Sequence, residues 1–143
     1  MKIVLDSNVL VAGLLSPFGP CGDIVRMVSA GKLTLCVDAR VLSEYHEVLG
    51  RRKFNFDQDK VAAILDYIEH HSLLVASVPL SVSLPDPDDE PFLEIAISSG
   101  ASYLVTGNDA HFPSELCQGV KVVSPAVLLR HGVRQQERKK DRT

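Results

Sequence analysis

The stretch Ile3-Val4-Leu5-Asp6-Ser7-Asn8-Val9-Leu10 joins an apolar strand pattern to an apolar helical pattern across three polar residues. Short β-rich runs then alternate along the chain with segments of helical period, which is typical of a parallel sheet built from βαβ units. Ligands of such sheets bind in the crevice beyond the carboxyl ends of the strands. We therefore expect Asp6 to lie at the edge of a binding crevice, although a simple capping role for the helix that follows is an equal alternative.

Periodicity places the other elements. The predicted strands are residues 3–5, 33–37, 73–75, 103–105 and 121–123, and the predicted helices are residues 8–15, 22–30, 39–49, a segment around 61–68, a segment from about 91 to Gly100, and 125–131. The strand runs do not alternate strictly, which fits strands that are buried on both faces. We predict a three-layer α/β/α fold with a parallel central sheet and a loop over Pro79–Pro91, which holds four prolines.

Length and composition indicate one globular domain. The chain has 143 residues, of which 45% are hydrophobic, and this is within the range of a single packed domain. We assign residues 1–133 to that domain and residues 134–143, with five bases and two acids, to a polar basic tail. No apolar run approaches the roughly 20 residues of a membrane span, so we expect a soluble, cytoplasmic protein without a membrane partner, and its three cysteines as free thiols.

Acidic residues are unevenly distributed. Between Lys60 and Lys121 there are nine acids and no Lys or Arg. If several of these acids converge in the fold, they must be solvated, protonated or neutralised by a bound cation.

Four carboxylates from separate elements are candidates for such a site: Asp6, Glu44, Asp89 and Asp109. Glu44 borders the predicted buried face of the helix at 39–49, Asp89 precedes the helix near 91, and Asp109 follows the strand at 103–105. Helix capping is an alternative for one or two of the acids in Asp86–Pro91. An oxygen-only set favours Mg²⁺ or Mn²⁺ over Zn²⁺, and such ions beside phosphates are typical of phosphodiester cleavage.

Four segments together resemble the PIN-domain nucleases: the opening stretch, Ser43-Glu44, the run from Asp86 to Leu93, and Tyr103–Asn108. The similarity covers about residues 2–131 and is greatest to the PIN-family toxins of bacterial and archaeal toxin–antitoxin pairs, the VapC-like group. The resemblance implies a PIN-like fold and a Mg²⁺- or Mn²⁺-dependent endoribonuclease. It further implies a type II toxin that forms a homodimer and is held inactive by a small antitoxin protein.

The resemblance also assigns positions. Asp6, Glu44 and Asp89 match the family's first three acids, and Asn8 and Thr106 match polar residues that support the metal site. The fourth acid of the family falls at Asn108, with Asp109 next to it, so that either residue could fill the fourth position. The substitution at this place favours an alternative, in which the protein is a catalytically inactive PIN-like scaffold or RNA-binding module.

Contact with RNA requires cations around an acidic pocket. The best candidates are Arg51, Arg52 and Lys53, and the bases of the tail come second. A helix C-terminus also attracts cations through its dipole, so a purely local role is the alternative for the first group. His111 follows the last acidic motif, and its two interpretations are an approach to the acidic pocket and a purely structural role, of which the second is the simpler.

Overall fold

A computed structural model describes residues 1–131 and contains a five-stranded sheet in the order β3-β2-β1-β4-β5. Every pair of neighbouring strands is parallel. The strands are β1 (Lys2–Leu5), β2 (Thr34–Val37), β3 (Leu73–Leu74), β4 (Tyr103–Val105) and β5 (Val122–Val123). The predicted parallel sheet is confirmed, and each predicted strand agrees with the structure to within one residue at either end.

Within residues 1–131, six helices cover the sheet in a three-layer α/β/α arrangement, as predicted. They are α1 (Ser7–Leu15), α2 (Pro20–Ser29), α3 (Ala39–Leu49), α4 (Gln58–His71), α5 (Glu90–Ser99) and α6 at residues 125–131. The predicted loop is too long at its end, because Pro87–Asp89 form a 3-10 turn and α5 begins at Glu90. The Asp86 carboxylate accepts a hydrogen bond from the Asp88 backbone and starts this turn.

The core lies around the three central strands. Ile3, Val4 and Leu5 of β1 are fully buried, and all residues of β4 are buried. The edge strand β3 is different, since both of its leucines are exposed. A strand that has a neighbouring strand on each side has both of its faces covered by helices. This explains why the sequences of the central strands are unbroken apolar runs.

Three further predictions concern the whole chain. Cys36 and Cys117 are buried, Cys21 is half-buried, and all three are free thiols. No single helix in residues 1–131 is long and apolar enough to cross a membrane; α1 and α2 pass that test only as a pair bent by 102°. The domain boundary at 133 and the predicted tail at 134–143 lie outside the described residues.

Helices α1 and α2 pack closely because glycines face the contact. A Cβ at Gly22 would lie 2.1 Å from the backbone oxygen of Pro17, and a Cβ at Gly13 would lie 2.7 Å from that of Cys21. The Pro17 oxygen cannot move aside without shifting the loop between the helices, and the Cys21 oxygen cannot move without shifting α2 itself. This contact fixes α1, and therefore the β1–α1 junction at which Asp6 lies.

We predict that Gly22→Ala lowers the free energy of unfolding by about 1–3 kcal/mol, the usual cost of overpacking. Gly19→Ala is the matched control, since its Cβ would meet its nearest atom at 3.8 Å, and its cost should stay at about 0.5 kcal/mol, because Gly19 is the N-cap residue of α2 and alanine caps a helix less well than glycine. Urea titration of both variants measures this difference. A stabilised Gly22→Ala protein would contradict the close approach, because alanine is otherwise the better helix former.

Candidate functional site

Asp6 occupies the carboxyl end of the central strand β1. Its backbone N–H donates to Val105 of β4 over 2.9 Å, and Thr106 Oγ1 donates to its Oδ2 over 2.7 Å. The residue is 4% exposed. The side chain is thus held from the neighbouring strand, with Oδ1 as the oxygen of Asp6 that can reach a ligand.

The capping alternative for Asp6 is wrong. Asp6 stands at the N-cap position of α1, but its side chain makes no capping hydrogen bond. The carboxylate is instead committed to Thr106 across the sheet edge. The acid is therefore directed at the crevice and not at the end of its own helix.

Glu44 is half-buried on α3 and approaches the same junction. The Ser7 hydroxyl, in the first turn of α1, donates to Glu44 Oε2. The next residue, Tyr45, is fully buried, and its hydroxyl donates to the Leu5 carbonyl over 2.5 Å. Two consecutive residues of α3 therefore hold the positions on either side of Asp6, and Glu44 faces inward as the helical pattern predicts.

Asp89 is the third acid of the site and is 8% exposed. It stands at the N-cap position of α5 without capping it. In the described part of the chain, no group donates a hydrogen bond to its buried Oδ2, although Nδ1 of His111 lies 3.1 Å from that oxygen. A buried carboxylate oxygen without a donor is costly, and it is the feature of this site that most needs an explanation.

The charges of the three acids act on one another. Burial raises the pKa of Asp89 to about 6; His111 opposes the rise, and Asp6 and Glu44 add to it. Burial also raises the pKa of Glu44, against the hydrogen bond from Ser7, and the charge of Asp6 adds to the rise. A cation between these groups would reverse their mutual repulsion.

The residues fit a hard divalent cation in chemistry, though they do not form a closed cage. Over residues 1–131, no three His, Cys, Asp or Glu side chains stand close enough to make a complete metal site. The donors are carboxylate oxygens, which Mg²⁺ and Mn²⁺ prefer, and one of them is a buried oxygen without a hydrogen-bond donor. Mg²⁺ typically binds through one or two carboxylates and keeps several waters, so a closed cage is not required.

The other predicted site residues lie around this group. The Asn108 backbone N–H donates to Thr106 Oγ1 over 3.1 Å, so Asn108 supports the hydroxyl that holds Asp6. Asp109 and Asn8 are exposed, and Asp109 lies on the side of Thr106 that faces β5. A fourth ligand from Asp109 or Asn108, and a supporting role for Asn8, stay predictions.

The predicted RNA-contact group lies away from the acids. Arg51, Arg52 and Lys53 follow the C-terminal end of α3, about 10 Å along the helix axis from Glu44. Arg51 forms an ion pair with Glu47 over 2.8 Å, and the Lys53 ammonium lies 5.0 Å from the centre of the Phe54 ring. Contact of this group with RNA stays a prediction.

Several residues of this edge are not among the predicted site residues. Arg40, in the first turn of α3, pairs with Asp38 and with the buried Glu94 of α5, at 2.7 Å and 2.8 Å. Glu94 had no partner nearby in sequence, so its ion pair could not be predicted. The role of Tyr45 and the contact of His111 with Asp89 were also missed, and only the position of His111 beside an acidic motif pointed to it.

A family profile described as PIN domain matches residues 2–110 of the chain. The match contains all the candidate acids from Asp6 to Asp109. No curated protein matches the chain significantly.

We predict that Asp89→Asn stabilises the metal-free protein at neutral pH. A raised pKa means that the folded protein binds the proton more tightly, so the wild type loses stability as pH rises from about 4 to about 6, and the variant does not. The variant should gain about 1–3 kcal/mol at pH 7.5 and only about a third of that at pH 4.5. Urea unfolding in EDTA measures both, with the exposed neighbour Asp88→Asn as the control that should change little. Equal effects of Asp89→Asn at the two pH values would refute this account.

We predict that Tyr45→Phe costs about 1–3 kcal/mol of unfolding free energy, because a buried carbonyl loses its donor while the ring stays in place. Tyr103→Phe is the matched control, since within residues 1–131 its hydroxyl makes only a contact of 3.4 Å with His131. In thermal and urea unfolding, the loss of unfolding free energy should be at least twice as large for Tyr45→Phe as for Tyr103→Phe. Indistinguishable costs would show that the Tyr45 hydroxyl does not secure the end of β1.

Proposed function

The chain belongs to the PIN-domain family, which is a family of nucleases, and on that premise we propose that it is a Mg²⁺- or Mn²⁺-dependent endoribonuclease. The observation that carries the proposal is the convergence of Asp6, Glu44 and Asp89 at one sheet edge, where burial and the neighbouring carboxylates raise the pKa of Asp89 to about 6 although His111 lies 3.1 Å from its Oδ2. Such an arrangement is unfavourable for the protein alone. It becomes favourable when a divalent cation is bound.

Asp6, Glu44 and Asp89 would hold the cation, which lowers the pKa of a water molecule and stabilises charge on the scissile phosphate. Thr106 keeps Asp6 Oδ2 engaged, so Oδ1 is the oxygen turned to the ligand. The Ser7 hydroxyl likewise donates to Glu44 Oε2, so Oε1 is the oxygen of Glu44 that is turned to the ligand. Because both acids are oriented by donors in place before binding, little rearrangement is needed to form the site.

The proposal includes a biological setting. We infer that the protein is the toxin of a type II toxin–antitoxin module and acts on RNA in the cytoplasm. A cognate antitoxin protein and a homodimeric state belong to this proposal. Arg51, Arg52 and Lys53 are the proposed RNA-binding residues, since a site of this acidity needs cations elsewhere to hold a phosphate backbone.

A catalytically inactive scaffold or RNA-binding module is the second candidate. It is favoured by Asn108, which stands where the family has its fourth acid, and by the incomplete cage of ligands within residues 1–131. The two candidates differ in their response to metal, since a ligand that binds only the folded state raises the melting temperature.

We predict that the purified protein cuts total tRNA or a generic single-stranded RNA with Mn²⁺ or Mg²⁺ and not in EDTA. Asp6→Asn and Glu44→Gln should each lower the cleavage rate by at least about a hundredfold, the scale of losing a catalytic group. Glu47→Gln is the matched control, because it lies exposed on the same helix and pairs only with Arg51 in the described structure. It should keep the wild-type rate.

Thermal melting with Mn²⁺ separates the candidates. A rise in melting temperature that is lost in Asp6→Asn supports the metal site even where the chosen RNA is not cut. A folded wild-type protein that neither cuts RNA nor responds to Mn²⁺ would overturn the nuclease and favour the scaffold.

A further inference from the structure

A cleft of about 370 Å³ opens beside the three acids, between the carboxyl ends of β4 and β5 and the start of α6. Thr106 belongs to both places, because it lines this cleft and also holds Asp6 Oδ2 at 2.7 Å. A molecule in the cleft would therefore contact Thr106, which also contacts Asp6 of the proposed cleavage centre. The cleft is separate from the acids of α3 and α5.

The lining of the cleft is suited to an uncharged flat group. Val122, Val123 and Val127 supply apolar surface, and Ser124 and Asp109 supply oxygen atoms. Among the described residues no Lys, Arg or His lines it, so it offers nothing to neutralise a phosphate. Small-ligand pockets measure about 300–1,000 Å³, and a cleft at the lower end of this range has room for one base.

Gly107 lines the cleft and faces open space. A Cβ at this position would meet no atom within 4 Å, which shows that the space in front of the turn is free. The Ser124 hydroxyl accepts a hydrogen bond from the Val127 backbone over 3.2 Å and caps α6. Of the lining side chains, Asp109 is exposed and makes no ion pair within the described residues, so its carboxylate is available to a ligand.

We propose that this cleft holds a nucleobase of the RNA strand next to the cleaved bond, and that Asp109 selects guanine there. The inference rests on the proposed function and deepens it. It gives Asp109 a contact with the substrate base in place of a contact with metal. Asp109 is then a specificity residue in the cleft that it shares with Thr106, the residue that holds Asp6.

The selection of guanine follows from hydrogen-bond chemistry. An ionised carboxylate only accepts hydrogen bonds, and two parallel donors bind it best. Guanine offers two adjacent donors on one edge, its ring N1–H and its amino group. The amino groups of adenine and cytosine stand beside ring nitrogens that accept hydrogen bonds, and the N3–H of uracil lies between two carbonyl oxygens, which a carboxylate repels.

Nucleotide binding tests the cleft without any cleavage. The full-length Asp6→Asn protein, labelled with ¹⁵N and kept in EDTA, is titrated with GMP, AMP, CMP or UMP and followed by amide NMR. GMP should shift the signals of Gly107 and Val127 and bind about tenfold more tightly than UMP, the scale of one bidentate base contact. Asp109→Asn, added to the same protein, should reduce this preference to twofold or less.

Two substitutions on α6 provide the steric test. Val127→Trp fills the cleft and should abolish the GMP shifts. Leu129→Trp is its matched control, since Leu129 is also half-buried on α6 but lines a separate groove against α2, and it should bind GMP as the parent protein does. Equal affinity for the four nucleotides, an unchanged preference in Asp109→Asn, or shifts confined to other surfaces would overturn the proposal.

Cleavage maps separate this inference from the proposed function. If the wild-type protein cuts RNA, its cuts should lie next to guanine, and Asp109→Asn should spread them over all four bases. Guanine-selective binding in the cleft by a protein that cuts no RNA would support the cleft and count against the nuclease. Cutting without base preference, together with no binding of GMP, would support the nuclease and reject the cleft.

Discussion

The buried carboxylate of Asp6 is the constraint on which the rest of the site depends. It ends the central strand of the sheet, where an unpaired charge would be very costly. The neighbouring strand β4 and the residue after it offset this cost. The Val105 carbonyl accepts a hydrogen bond from the Asp6 backbone, and the Thr106 hydroxyl donates one to the Asp6 side chain. Because β1 is fixed between β2 and β4, the position of this one carboxylate is set by the whole sheet, and the other acids have to be brought to it.

Helices α3 and α5 bring those acids at a cost to stability. Glu44 and Asp89 each have a pKa raised by burial and by neighbouring carboxylates, which means that their charged forms are destabilised in the folded protein. The same helices hold each other by the ion pair of Arg40 with Glu94. The Arg40 guanidinium is thereby committed to structural carboxylates, and the three acids of the site keep their charge for a ligand. Functional sites commonly retain such locally unfavourable groups.

Much of this arrangement was predictable from sequence, and the part that was not has a common cause. Buried strands and amphipathic helices leave periodic patterns, so the sheet, the layers and the inward direction of Glu44 could be predicted. The contacts of Ser7 with Glu44 and of Tyr45 with Leu5 join positions about 40 residues apart. They depend on the distance and angle between packed elements, which periodicity does not encode. The side of Thr106 on which Asp109 lies depends likewise on the geometry of one turn.

The energetics of Asp89 also bear on whether the protein is an enzyme or a scaffold. A scaffold requires the sheet and the helices, and nothing in either requires a carboxylate whose buried oxygen has no donor. Asparagine could occupy that position without the cost of a buried charge, which His111 at 3.1 Å offsets only in part, since the pKa of Asp89 is still raised to about 6. The chain keeps the acid at 89 although it carries asparagine at 108, where one more negative charge would add to the repulsion. Three carboxylates already suffice to neutralise a divalent cation, so asparagine at 108 lowers the cost of the metal-free state and still leaves the means of binding metal.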